Sequence, residues 1–198
     1  MTSTKFTWIS FYKELSDKLL TYRDRRDDLI NKLATVFESI GMSLPKLEAD
    51  ELQDIDPFTV FGLFNKGITD ANRQKIIAGI AEVFDIGANQ PTDFEGIPVL
   101  NNLNATFYAF SGDDRRGEND IDNLWHVFEA ELALAADDNE ETRKAFVEAF
   151  DTTVSSSHLA GSSPWASTGR GPTTSSAWTR ATAGSWPTWQ RLAPPLPA

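Results

Sequence analysis

Asp54 and Asp56 lie two residues apart in the stretch DIDPFTVFGLFNKGITDANR. Paired carboxylates can do general acid–base work or hold magnesium. Asp56 also stands directly before Pro57, and an Asp that N-caps a helix with Pro at its first position needs no chemistry to explain it. A free-standing hydrolase using Asp54 or Asp56 therefore ranks last among the readings. Asn65 and Lys66 fall at the junction between two expected helices, with Asn72 and Arg73 one turn into the second. These groups could converge on a ligand. In the alternative, Asn65 and Asn72 bond the helix ends and Arg73 pairs with a nearby acid. Asn101, Asn102 and Asn104 make a polar loop whose amides can read base edges or satisfy their own backbone. Trp125, followed by His126, offers an aromatic face. The candidate ligand or DNA contacts are Asn65, Lys66, Arg73, Asn101, Asn102 and Trp125. No catalytic or metal-ligating residue is nominated.

Several chemistries are excluded outright. The chain has no Cys and two His, His126 and His158, which removes thiol catalysis, Cys-ligated zinc and histidine-rich metal centres. It has no G-x-x-x-x-G-K-[ST] phosphate loop, no G-x-S-x-G elbow and no H-E-x-x-H. No enzyme follows from these residues, and no cofactor is expected for this chain. A net charge of −11 argues against a protein that coats duplex DNA. Arg115 and Arg116 sit among acids and make a weak nucleic-acid signal. No apolar run approaches a membrane span and no signal pattern opens the chain, so the expectation is a soluble cytoplasmic protein without a membrane partner.

The elements that must position these residues are helices. Phe11, Leu15, Leu19 and Tyr22 recur on one helical face, as do Leu29, Leu33, Phe37 and Ile40, with Gly41 placed to stop that helix. Between them YRDRRDD reads as a charged bend, its three Asp neutralising Arg23, Arg25 and Arg26. Asp56 and Pro57 open a helix with Phe58, Phe61 and Phe64 on its apolar side and Gly67 as its C-terminal cap. Thr69 caps the next, which carries Ile76, Ile80, Val83 and Phe84. Asp120 caps a helix bearing Leu124, Phe128 and Leu132, and Asn139 begins a last one with Phe146 and Phe150. Pro91, Pro98 and TFYAF suggest a small extended or β segment near 97–110. The expected fold is mainly α, a domain of about six helices followed by a disordered tail.

The tail boundary is compositional. All 29 acids lie at or before Asp151, leaving residues 1–151 at −14 and residues 152–198 at +3. The last 47 residues also hold four of the six Trp and no Phe, Ile, Met or Lys. Linkers are poor in aromatics, and folded segments show apolar periodicity, so neither description fits. A displaced reading frame in a GC-rich gene fits better. Moving each codon boundary one nucleotide upstream from Ala160 allows WKLTMGLYWARPYDFLSLDARNRWFLADL, which has acids, aliphatics and ordinary structural grammar. The expected domains are residues 1–151, helical, and residues 152–198, a low-complexity, out-of-frame tail.

DIDPFTVFGLFNKGITDANR, FEGIPVLNNLNATFYAF and DIDNLWHVFE, with the opening FTWISFYKELSDKLLTYRDRRDDLI, resemble the N-terminal region of large bacterial McrB-like AAA+ proteins. These are related to the motor subunits of 5-methylcytosine-specific restriction systems. The resemblance spans nearly all of residues 6–151. Such proteins continue with a segment similar to the shifted string, which points to an N-terminal fragment truncated by a frame displacement near residues 152–160. The resemblance implies a target-recognition or regulatory domain of a modification-dependent restriction or phage-defence motor. GTP or ATP with magnesium would belong to the missing motor. Implied partners are modified DNA, a nuclease subunit or the motor itself. The alternative is an acidic protein-interaction module that docks a nuclease or motor partner and makes no DNA contact, a reading the charge of −14 favours.

Overall fold

The computed structural model describes residues 6–43, 52–95, 97 and 117–155. Among these it contains six helices and no strand: α1 (Ile9–Leu20), α2 (Arg26–Ser39), α3 (Pro57–Gly62), α4 (Asp70–Val83), α5 (Asp120–Ala136) and α6 (Glu140–Ser155). The fold is mainly α, as the 3.6-residue periodicity requires. The expected extended segment near 97–110 and the tail beyond Ser155 lie outside the described residues.

Each helix turns its apolar stripe to one core. Phe11, Leu15 and Leu19 of α1 meet Leu29, Leu33 and Val36 of α2, Ile76, Ile77 and Ile80 of α4, and Trp125 and Phe128 of α5. Helix α2 packs on α4, α3 on α5, and α5 on α6. Helix α1 is held to the segment after α4 by polar contacts. Glu14 accepts hydrogen bonds from the Gly87 and Ala88 amides, both at 2.8 Å, and the Trp8 indole donates to the Glu95 carbonyl at 3.0 Å.

The caps explain most boundaries. Asp56 accepts from the Thr59 amide at 2.9 Å, with Pro57 at the first helical position. Thr69 accepts from the Asn72 amide at 3.3 Å. Asn139 and Thr142 cap each other reciprocally: the Asn139 side chain accepts from the Thr142 amide, and the Thr142 hydroxyl accepts from the Asn139 amide. At the end of α2, Gly41 takes φ +63° while the amides of Gly41 and Met42 reach back to the carbonyls of Glu38 and Phe37.

Two boundaries differ from expectation, and a third has an unusual cap. Helix α3 stops at Gly62, and the amides of Phe64 and Asn65 both turn back to the Phe61 carbonyl, so the helix ends five residues before Gly67. The turn leaves Phe64 fully buried. Asn119, not Asp120, occupies the N-cap position of α5. Asp120 is buried and accepts from the Gly117 amide at 2.9 Å. The end of α4 places Asp85 at φ +53°, a left-handed cap built without glycine.

Helices α2 and α4 approach closely at Gly79. A β-carbon there would come within 2.9 Å of Ile40 Cγ2 and 3.0 Å of Val36 Cγ1. Both are stubs on β-branched side chains that cannot swing away. Gly79→Ala is therefore expected to lower stability by about 1–3 kcal/mol despite alanine's better helix propensity, read by chemical denaturation.

Candidate functional site

The α3–α4 junction does bring Asn65, Lys66 and Arg73 together. The short α3 delivers the Phe64 and Lys66 carbonyls toward the first turn of α4, and Arg73 answers them. Its Nε donates to the Phe64 carbonyl at 2.8 Å, Nη2 to the Lys66 carbonyl at 3.2 Å and Nη1 to Asp70 at 3.0 Å. The guanidinium is buried and lies 4.7 Å from the Phe94 ring centroid. Asn65 Oδ1 accepts from the Tyr12 hydroxyl at 2.5 Å, and Tyr12 in turn stacks on Phe61 at 5.5 Å between centroids. Burial pushes the Tyr12 phenol up and the half-buried Lys66 ammonium down from their ordinary values. The cluster is a locked joint, with the Arg73 donors spent on two backbone carbonyls and a carboxylate.

Trp125 stands apart from that joint. It is fully enclosed, its indole N–H donates to the Ile55 carbonyl at 2.9 Å, and Phe128 meets it edge-on at 6.1 Å. The Arg26 guanidinium lies 5.8 Å from its ring centroid. Its surface is committed to the core, so it offers no face to an outside base. Asn101 and Asn102 lie outside the described residues, as do Asn104, Arg115 and Arg116.

The Arg-rich bend pairs differently from the local reading. Arg25 meets the neighbouring Asp28 at 3.7 Å. Arg23 instead bonds Glu129, and Arg26 bonds Asp122 and, at 3.1 Å, Asp54. Burial works against the Arg26 charge, but Asp122 and Asp54 outweigh it and hold its pKa above the ordinary value. These partners come from α5 and from the strand-free run before α3, too far along the chain for local charge counting to find. Asp54 is thereby an ion-pair partner and Asp56 a cap, so the paired-carboxylate arrangement has other work.

Above this network an open polar cleft of about 470 Å³ is lined by Arg23, Asp24, Arg26, Asn119, Asp122, Asn123, His126 and Thr152. It gathers the α1–α2 bend, the first half of α5 and the end of α6. His126 is exposed there and has no enclosing partner of the kind a ligand-holding imidazole needs. Among the described residues, no group of three or more His, Asp or Glu is arranged to hold a metal ion. None of their helices is long and apolar enough to cross a membrane.

A family model matches residues 8–162. The chain belongs to the family described as Domain of unknown function (DUF8425). The DUF8425 match takes in all six helices, the α3–α4 joint and the polar cleft. No curated protein and no solved structure matches the chain.

Two features of the DUF8425 span carry no sequence motif. The first is Glu131, a half-buried carboxyl on α5 that burial alone pushes up to about 7. The second is the outer face of α6, where Val147 and Val154 are the large hydrophobics left exposed among the described residues. Their seven-residue spacing was visible in the sequence, but periodicity does not say which stripe is covered.

Glu131 has a consequence for stability. Its folded-state pKa lies above the ordinary 4.5, so its contribution is full below about 4.5 and is lost as pH rises through about 7. Buried Asp56 adds a loss of the same sign as pH rises through about 6, since desolvation outweighs the hydrogen bonds from Thr59. Glu131→Gln removes the ionisation. Its melting temperature is expected to exceed that of the unsubstituted chain at pH 8 and to converge with it near pH 5. Equal differences at both pH values would show that Glu131 keeps an ordinary pKa.

Proposed function

We propose that this chain is an acidic protein-docking module, without catalysis of its own, that serves a McrB-like restriction or phage-defence motor by holding a nuclease or motor partner. The observation that carries this reading is the outer face of α6, an exposed apolar stripe set in an acidic surface. Residues 1–151 carry −14, which repels phosphate and attracts basic protein surfaces. The binding of Arg73 to backbone carbonyls and the enclosure of Trp125 also support it, because a base-reading site would need such groups at the surface.

The open cleft favours a second reading, recognition of modified DNA, since Asn119, Asn123 and His126 add amides and an imidazole to two arginines. The Arg23 and Arg26 charges are already matched by Glu129, Asp122 and Asp54, which leaves little cation for phosphates. The two readings separate in one experiment. The immobilised chain is offered the purified nuclease subunit, the motor domain and DNA duplexes with and without 5-methylcytosine. Retention of either protein with no DNA bound supports docking. Salt-sensitive retention of methylated duplex alone overturns it.

A further inference from the structure

Helix α6 packs on α5. It returns antiparallel to α5 after a three-residue connection, Asp137, Asp138 and Asn139. The Thr153 hydroxyl reaches the Asn123 carbonyl at 3.3 Å, fixing the register of the hairpin. Phe146, Ala149, Phe150 and Thr153 form the side that faces inward. At about 100° per residue, Val147 and Val154 fall within about 20° of each other, on a stripe beside that side and bordered by Phe150. Their exposures are 39% and 48%, and neither packs against the core. The order Val147, Phe150, Val154 is the i, i+3, i+7 spacing that a partner helix fills.

The charges around the stripe are unequal. The two bases of α6 are occupied: Arg143 bonds Asp138, and Lys144 lies 3.7 Å from Glu148. Glu140 and Asp151 lie together on one side of Val147, within about 40° of rotation, and no ion pair joins either to a base among the described residues. Glu141 is likewise unpaired there. The seam thus carries Val147, Phe150 and Val154 with the Asp138-paired Arg143 alongside, and it is net negative because Glu140 and Asp151 add acid that the two bases, matched by Asp138 and Glu148, do not offset. A second copy of this chain would bring the same negative edge against itself.

Resting on the docking reading above, we propose that this face of α6 binds a basic amphipathic helix, whose apolar residues lie along Val147, Phe150 and Val154 and whose lysines and arginines meet Glu140 and Asp151. The partner helix completes a three-helix unit with α5 and α6. Salt weakens the complex, because the charged edge is exposed.

The test uses the full chain and two synthetic helical peptides with one leucine heptad stripe, flanked by lysine in one and by glutamate in the other. Binding is followed by fluorescence anisotropy. The lysine peptide is expected to bind and the glutamate peptide to fail. Val147→Ser with Val154→Ser leaves the charge unchanged and is expected to weaken binding about tenfold or more. Glu140→Gln with Asp151→Asn is expected to weaken it and flatten its salt dependence. Both pairs are exposed, and unchanged circular dichroism shows that the fold is intact. Equal binding of both peptides, or lysine-peptide binding indifferent to the serine pair, overturns the proposal, as does no binding at all. Self-association abolished by the serine pair also overturns it in favour of a second copy. Retention of the nuclease or motor by the serine variant would leave the docking module standing and move its site elsewhere.

Discussion

Trp125→Ala is expected to remove a large share of the domain's stability, about 4–8 kcal/mol. Trp125 is the largest of the fully buried side chains. Truncating such a ring costs about 3–5 kcal/mol in transfer and cavity terms. The Ile55 carbonyl, which takes the indole hydrogen bond at 2.9 Å, loses its donor for about 1–3 kcal/mol more. The guanidinium of Arg26 loses the ring beneath it, and with it part of the anchorage of the α1–α2 bend to α5. A domain of this size has only about 5–15 kcal/mol to lose. Trp125→Phe keeps most of the volume and gives up the hydrogen bond, so a loss of about 1–3 kcal/mol is expected from it. Urea denaturation followed by circular dichroism orders the three proteins. A Trp125→Ala chain as stable as the original would mean that the ring is not part of the core.

The second large effect is at Arg73. Arg73→Met keeps a long apolar stem for the Phe94 contact but withdraws all donors from the Phe64 and Lys66 carbonyls and from Asp70. Charge-assisted hydrogen bonds in a buried joint make this a loss of about 2–4 kcal/mol. Arg73→Lys restores the charge as a single point donor and cannot span both carbonyls, so it recovers only part of the loss. If Arg73 instead served a ligand, the methionine variant would keep its melting temperature and lose binding alone.

Much of this architecture is legible in the residues. The stripes Phe11–Leu15–Leu19 and Leu29–Leu33–Phe37 state their helices and their buried sides together. Asp56–Pro57, Thr69, Asn139 and Gly41 mark ends because capping is local chemistry, written within four residues of the cap. The early stop of α3 at Gly62 is not written locally: beyond it the fully buried Phe64 packs edge-on against Tyr12 of α1 and against Phe61. The same limit hid the arginine partners, since Arg23 finds Glu129 across 106 residues and Arg26 finds Asp122 across 96.

The candidate site was legible in its composition and misleading in its exposure. Asn65, Lys66 and Arg73 do meet, but a guanidinium near a helix junction can serve two stray carbonyls as readily as a ligand. Trp125 heads a polar-looking run, DIDNLWHV, yet its position relative to Ile121, Leu124 and Phe128 turns it inward. Nothing in the residue types of Val147 and Val154 marks them as exposed. What sets them apart is that they lie on the side of α6 turned away from the core, a fact of tertiary placement.

The central claim is that this surface meets protein and not nucleic acid. The most direct measurement is a low-salt anisotropy titration of fluorescent duplexes, methylated and plain, with the full chain, run beside the purified nuclease subunit and motor domain. No saturable DNA signal is expected, together with saturable binding of one of the two proteins that is lost when salt is raised. Tight binding of methylated duplex, with neither protein bound, would contradict it.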